Sequence, residues 1–166
     1  MQKQQQYPLM PIKATPYQHQ RDAFELACRL FGLASGKTVS QGIALLMEMG
    51  TGKTITSIAI TGVLYLTGNI RRVLVIAPLS IVGVWDEEFA KFADFDYVLA
   101  VLIGASTKKA DTLRHMRGDS LQVAVVNYES AWRLEKEIIA WEPDLVICDE
   151  GHKIKVRPDR ALCEVV

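Results

Sequence analysis

The residues with the clearest chemistry form a glycine-rich run that ends in lysine and threonine. Positions 47–54 read Met-Glu-Met-Gly-Thr-Gly-Lys-Thr. Glycines let a backbone curl around phosphate without Cβ clashes, Lys53 would place a positive charge against the β- and γ-phosphates, and the Thr54 hydroxyl would be offered to Mg²⁺. The glycine that usually opens such a loop is replaced here by Met47. The predicted nucleotide-binding residues of the loop are Gly50, Thr51, Gly52, Lys53 and Thr54.

A second group of candidate residues follows the last apolar run of the sequence. Asp149 and Glu150 come directly after Leu-Val-Ile-Cys at 145–148, and ligands of open parallel sheets bind beyond the carboxyl ends of strands. Asp149 can hold Mg²⁺ directly or through water, and Glu150 can orient and deprotonate an attacking water. His152 could couple this strand end to groups that respond to the nucleotide. An acidic pair alone is often a solvated turn, but together with the loop it predicts hydrolysis. The predicted catalytic residues are Lys53, Asp149 and Glu150.

Extended and helical patterns alternate along the chain. Short apolar runs indicate strands at 43–47, 73–77, 97–103, 121–126 and 145–148, and helical spacing of apolar residues indicates helices between them, including 80–92 and 128–140. Strands that are apolar on both faces and alternate with helices predict an α/β fold, with a mostly parallel sheet covered by helices on both faces. Thr15 and Pro16 are expected to begin the first helix, and Ser80 can cap a later one.

Length and composition limit the classes of protein. With 166 residues, 49% of them hydrophobic, the chain fits one domain or less with a packed core. No apolar run reaches the roughly 18 residues of a membrane span, and the polar start lacks a signal peptide. We therefore expect an intracellular, cytoplasmic protein with no membrane partner. Lys plus Arg equals Asp plus Glu at 19 each, so net charge gives no argument for nucleic acid.

Four short motifs, in order, resemble those of the Swi/Snf-like ATPases of helicase superfamily II. The loop is similar to that family's Asp-Glu-Met-Gly-Leu-Gly-Lys-Thr, in which the first glycine is also missing. The segment 75–80 reads Val-Ile-Ala-Pro-Leu-Ser and precedes Trp85, 127–129 reads Asn-Tyr-Glu, and 149–155 reads Asp-Glu-Gly-His-Lys-Ile-Lys. The resemblance covers about 14–166, and the family comprises chromatin remodellers and their compact bacterial and phage relatives.

The resemblance implies a RecA-like P-loop NTPase that uses ATP and Mg²⁺ to move along double-stranded DNA. It implies no small-molecule substrate other than ATP. Gln18 corresponds to the family's adenine-reading glutamine, although Gln20 lies close enough for the register to be misjudged. The candidate DNA contacts are Pro78, Ser80, Asn127 and Tyr128. Ser80 could instead be only a helix cap, and for Asn127 and Tyr128 a purely structural role is equally open.

The family's engine has two RecA-like domains, and its next motif, Thr-Gly-Thr-Pro, is not found in this sequence. We expect 1–13 to form a flexible arm and 14–166 to form the N-terminal part of an incomplete first motor domain, whose partner is the missing second domain. In the family, the strand that leads to the next motif lies between the loop strand and the acidic-pair strand. We therefore expect a gap in the sheet, unless another segment fills it, and very weak ATPase activity from this chain alone.

Three other functions compete with an ATP-driven translocase. The motifs could serve a strand-separating superfamily II helicase, or the chain could be a non-catalytic nucleotide- or DNA-binding fragment. A small-molecule phosphotransferase is disfavoured because Gln18 and the Asp-Glu-Gly-His motif have no place in it.

Overall fold

A computed structural model describes residues 7–151 and has a parallel sheet at its centre. The strands are β1 (Arg72–Ala77), β2 (Tyr97–Val101), β3 (Leu121–Asn127) and β4 (Leu145–Cys148). Within the described residues they lie in the order β2-β3-β1-β4, and each neighbouring pair is parallel. Four of the predicted strands are confirmed, although β2 ends two residues earlier than expected.

Helices cover both faces of this sheet. They are α1 (Gln18–Leu30), α2 (Lys53–Leu66), α3 (Val84–Phe92), α4 (Ser106–His115), α5 (Tyr128–Arg133) and α6 (Glu135–Trp141). Alternate residues of β1 point to opposite faces: Val73 and Val75 join the core formed with α1, α2 and α3, whereas Leu74 joins a second core with α4 and α6. The predicted α/β fold, a mostly parallel sheet with helices on both faces, is confirmed.

Several helix boundaries differ from the prediction. The first helix begins at Gln18 rather than at Thr15 and Pro16, because the Gln20 side chain accepts the Tyr17 backbone N–H (2.9 Å) and ends the extended segment there. Ser80 does not cap α3. It lies in a short 3-10 turn, Leu79–Ile81, and α3 starts later, at Val84.

Two further differences lie on the opposite face of the sheet. The single helix predicted over 128–140 is divided into α5 and α6 at Leu134, which is buried in the second core. Helix α4 escaped prediction because most of its residues are polar and only Ala110 and Leu113 are buried. No helix within 7–151 combines the length and apolarity that crossing a bilayer requires.

The segment before the glycine loop is extended but is not a strand of the sheet. Ile43, Leu45 and Met47 are half-buried, whereas Ala44 and Leu46 are exposed, which is the period-2 pattern of a strand. The predicted strand at 43–47 is nevertheless wrong in the described part of the chain, because the segment has no ladder partner. A cavity of about 570 Å³ is lined by this segment on one side and by β4 on the other.

The end of the predicted arm is fixed to the core. Ile12 is buried and forms an antiparallel bridge with Ala93. The Lys13 N–H donates to the Phe92 carbonyl (2.9 Å), and the Asp94 N–H donates to the Pro11 carbonyl (3.1 Å). The flexible arm predicted over 1–13 is therefore wrong at its C-terminal end, where backbone hydrogen bonds and apolar burial order the chain.

Candidate nucleotide site

Two glycines give the loop before α2 its shape. Gly50 and Gly52 have φ values of 78° and 91°, in the left-handed region that favours glycine. A Cβ on Gly52 would lie 2.2 Å from Gln20 Nε2, so this position also lacks room for a side chain. Helix α2 begins immediately afterwards, at Lys53. The loop therefore delivers the unpaired N–H groups of a helix N-terminus, which favour anions.

The loop closes on its own backbone. Lys53 Nζ donates to the carbonyls of Met47 (3.0 Å) and Glu48 (3.1 Å). Thr51 Oγ1 donates to the Glu48 carbonyl at 2.7 Å. An ammonium group carries three donors, so the contacts that hold Lys53 inside the loop are compatible with a further contact to a phosphate oxygen.

Helix α1 rests on this loop through Gln20 rather than Gln18. Gln20 is buried, and its Nε2 donates to the Thr51 carbonyl at 3.0 Å. His19 Nε2 lies 2.8 Å from the same oxygen and must donate to it, because a carbonyl only accepts. Gln18 is exposed and donates instead to Asp22, one turn along the helix, at 2.8 Å. The structure thus places the alternative glutamine, and not the one first predicted, against the loop.

The acidic turn is held by three different elements. The Asp149 N–H donates to the Ile76 carbonyl of β1 at 2.8 Å, which extends the β1–β4 pairing by one residue. The Tyr128 hydroxyl at the start of α5 donates to the Asp149 carbonyl at 2.6 Å. The indole N–H of Trp85 in α3 donates to Asp149 Oδ2 at 3.1 Å. Both the backbone and the carboxylate of Asp149 are therefore positioned by tertiary contacts.

Glu150 follows in a conformation that is uncommon for a residue with a side chain. Its φ is 54°, and non-glycine residues in the left-handed region cost about 1–3 kcal/mol and concentrate at functional sites. The Glu150 side chain is half-buried and lines the cavity that also borders the loop.

One cavity brings the predicted catalytic groups together. Its lining includes Lys53, Thr54, Asp149 and Glu150. Mg²⁺ binds through one or two carboxylates and retains waters or phosphate oxygens as its other ligands, so a cavity lined by a carboxylate and a hydroxyl fits this ion. Asp149 and Thr54 are the residues that could hold it.

The candidate DNA contacts lie at the same edge of the sheet. Pro78 and Ser80 follow β1, Asn127 is the last residue of β3 and Tyr128 follows it, so all four stand at the carboxyl ends of neighbouring strands. Ser80 is exposed, whereas Asn127 and Tyr128 are half-buried. The Tyr128 hydroxyl is directed to Asp149. His152, the predicted coupling residue, lies outside the described residues.

Two contacts of the site differ in how far the sequence indicates them. Gln20 is named from the sequence only as the alternative to Gln18, although a glutamine three residues after a helix cap is itself a capping signal. Trp85 lies at helical spacing from Phe89, as a core residue would, and it is only 3% exposed. Nothing in its helical spacing indicates that its N–H meets a carboxylate 64 positions away.

Comparisons with known proteins point to one family. The SNF2-related domain matches residues 17–164. DNA repair and recombination protein RAD54B of Gallus gallus is 28% identical over 89% of this chain and 16% of its own length. The human RAD54B protein is 27% identical over 90% of the chain and 17% of its own length. The chain thus spans less than a fifth of these relatives.

Solved structures give the same result. The Sulfolobus solfataricus SWI2/SNF2 ATPase core, solved in complex with double-stranded DNA, has a TM-score of 0.69 and 27% identity, covering 92% of this chain and 29% of that one. A Type ISP restriction-modification enzyme, LlaGI, shares the fold at a TM-score of 0.64 and 19% identity, over 84% of this chain and 15% of that one. The glycine loop, the acidic pair and a match over most of its length show that this chain belongs to the SNF2-related family of Swi/Snf-like superfamily II ATPases.

Proposed function

We propose that the chain is the ATP-binding part of a DNA-dependent ATPase that moves along double-stranded DNA. The observation that carries this proposal is the single cavity bordered by Lys53, Thr54, Asp149 and Glu150. Phosphoryl transfer needs positioning and charge stabilisation more than covalent chemistry. A lysine, a hydroxyl and two carboxylates around one cavity supply the groups for both.

Each residue has a distinct role in the proposed reaction. The N-terminus of α2 and the Lys53 ammonium bind the phosphates. Asp149 and Thr54 would hold Mg²⁺, which supplies charge neutralisation on the phosphate oxygens when bound. Glu150 orients the attacking water and accepts its proton. The loop and the start of α2 thus bind the nucleotide, whereas the acidic turn activates the water.

Adenine recognition is proposed to run through Gln20. Its amide is fixed between the Tyr17 N–H and the Thr51 carbonyl, at the junction of α1 and the phosphate loop. An amide carries both a donor and an acceptor, as an adenine edge requires. Gln18 is the alternative reader, and a nucleotide base would have to draw its side chain away from Asp22.

Double-stranded DNA is the proposed polynucleotide partner. The similar Sulfolobus core was solved with duplex DNA, and here the exposed Ser80 stands at the carboxyl edge of the sheet. Because the chain spans less than a fifth of the two RAD54B relatives, translocation is proposed for the whole protein, acting with a second RecA-like domain.

Phosphate release by the whole protein, measured with and without double-stranded DNA, tests the proposal. We expect DNA to stimulate turnover, and Lys53→Ala to lower it by about 10²-fold or more, since a preorganised charge at the transition state is removed. Lys37→Ala is the matched control, because Lys37 is an exposed lysine in the loop after α1. ATP turnover that is not stimulated by DNA, or that is unchanged in Lys53→Ala, would exclude this function. A strand-displacement assay on the same preparation separates translocation from unwinding.

A further inference from the structure

We infer that Trp85 is a positioning residue for the magnesium-binding carboxylate, an inference that rests on the proposed function. The indole N–H donates to one oxygen of Asp149, Oδ2, at 3.1 Å. This distance lies within the range of an ordinary N–H···O hydrogen bond. An indole is a donor only, so Trp85 orients the carboxylate without competing for a cation.

The contact is well suited to fixing a direction, because Trp85 itself cannot move easily. It is only 3% exposed, and its ring packs against Phe89 with 6.2 Å between centroids. Phe89 in turn contacts Tyr97 of β2, at 5.2 Å between centroids. A ligand is held in its productive orientation when its supporting shell is locked by packing.

The backbone of Asp149 is fixed independently. Its N–H is bonded to β1 and its carbonyl to the Tyr128 hydroxyl. With both ends of the residue held, the remaining freedom is rotation of the side chain, and Trp85 is the group that limits it. Without the indole N–H, the Asp149 carboxylate should no longer be held in one orientation, so Mg²⁺ binding should weaken. Nucleotide binding in the absence of Mg²⁺ should be unchanged.

The test compares Trp85→Phe with Trp141→Phe in the whole protein. Phenylalanine keeps an aromatic ring in the core but lacks the donor. Trp141 is the matched control, since it is also 3% exposed and its N–H also donates a hydrogen bond, but to the main-chain carbonyl of Met116 and in the second core. The readout is the binding of a fluorescent ATP analogue, titrated with Mg²⁺ and repeated in EDTA.

For Trp85→Phe we expect the Mg²⁺ concentration for half-maximal nucleotide binding to rise about 10-fold or more, the usual loss when the outer partner of a metal ligand is removed. Binding in EDTA should be unchanged, and Trp141→Phe should leave both values unchanged. Asp149→Asn separates the two hypotheses. If Asp149→Asn does not raise the Mg²⁺ requirement, the proposed metal site is wrong. If it does and Trp85→Phe does not, the positioning role is wrong.

If Trp85→Phe fails to fold, the NMR signal of the native Trp85 side chain tests the inference instead. The sequence has three tryptophans, and Trp132→Phe and Trp141→Phe identify the indole N–H resonances of the other two in the 166-residue chain. We expect the Trp85 resonance to shift when Mg²⁺ is added to the nucleotide-bound chain, because the cation withdraws electron density from the accepting carboxylate. A Trp85 resonance that is unmoved by Mg²⁺, while nucleotide is bound, would overturn the inference.

Discussion

The two halves of the nucleotide site are built in different ways. The phosphate loop is held by its own backbone, through Lys53 and Thr51, and by Gln20 of the nearby helix α1. The segment that enters it, 43–47, is not hydrogen-bonded into the sheet within the described residues. The acidic turn, by contrast, is held by β1, α3 and α5.

The phosphate loop and the acidic turn therefore depend on different kinds of contact. A loop closed by contacts between near neighbours in sequence keeps its shape through local chemistry, chiefly two left-handed glycines. A residue held from three elements, as Asp149 is, is positioned only when the sheet and both of its helical layers have formed. Substitutions of the loop glycines should therefore act on local shape and stability, and substitutions in the acidic half should act on the metal and the attacking water.

The largest expected effect is in the acidic half. Glu150→Gln keeps the shape of the side chain but removes the base, so ATP turnover should fall by about 10²–10⁴-fold while nucleotide binding is retained. Glu142→Gln is a close control, since Glu142 is also in the left-handed region, with φ of 53°, but lies exposed at the end of α6. Phosphate release and nucleotide binding are measured for both. Wild-type turnover in Glu150→Gln would show that the acidic half does not supply the base.

The next effect tests the loop half. In Gly52→Ala the new methyl group would meet Gln20 Nε2 and Ile55 Cγ2, in a backbone conformation that disfavours alanine. We expect the free energy of unfolding to fall by about 2–5 kcal/mol from strain and crowding together. Gly50→Ala shares the left-handed conformation but has no neighbour within 4 Å, so it should lose only about 1–2 kcal/mol. If chemical denaturation shows the same loss of unfolding free energy for both variants, then α1 does not pack tightly against Gly52.

A smaller effect distinguishes the two glutamines. Gln20→Ala removes the hydrogen bonds to Tyr17 and Thr51 and should cost about 1 kcal/mol of unfolding free energy. It should also reduce the preference for ATP over GTP. Gln18→Ala should change stability by less than about 0.5 kcal/mol, as exposed substitutions do. Competition binding with ATP and GTP decides between them, and a loss of discrimination confined to Gln18→Ala would return the role of adenine reader to Gln18.

The smallest effect concerns Cys28, on the buried face of α1. Burial, with a lesser contribution from Glu25, raises the pKa of its thiol from 9.0 to about 11. The unfolded chain then loses this proton at lower pH than the folded chain, so the stabilisation is complete below pH 9 and is lost as pH rises toward 11. Thermal midpoints between pH 8 and pH 10.5 should therefore fall less for Cys28→Ala than for wild type. Parallel pH profiles would contradict the raised pKa.

Much of the architecture was predictable because it follows from local pattern. The run 145–148 gave the bounds of β4 correctly, since a short buried strand between polar residues has few alternatives. The phosphate loop could be recognised because its glycines and lysine act within eight consecutive residues. Helix α4 was missed because its apolar content is too low to produce a periodic signal.

The sequence by itself determined the chemistry of the site: which residues can bind phosphate, hold a cation and accept a proton. Only the tertiary structure decided which glutamine meets the loop, that 43–47 pairs with no strand of residues 7–151, and that Trp85 bonds Asp149. The physical reason is distance along the chain. Hydrogen bonds between near neighbours follow from residue types and backbone conformation, whereas a contact across 64 positions exists only after strands and helices have packed into one arrangement.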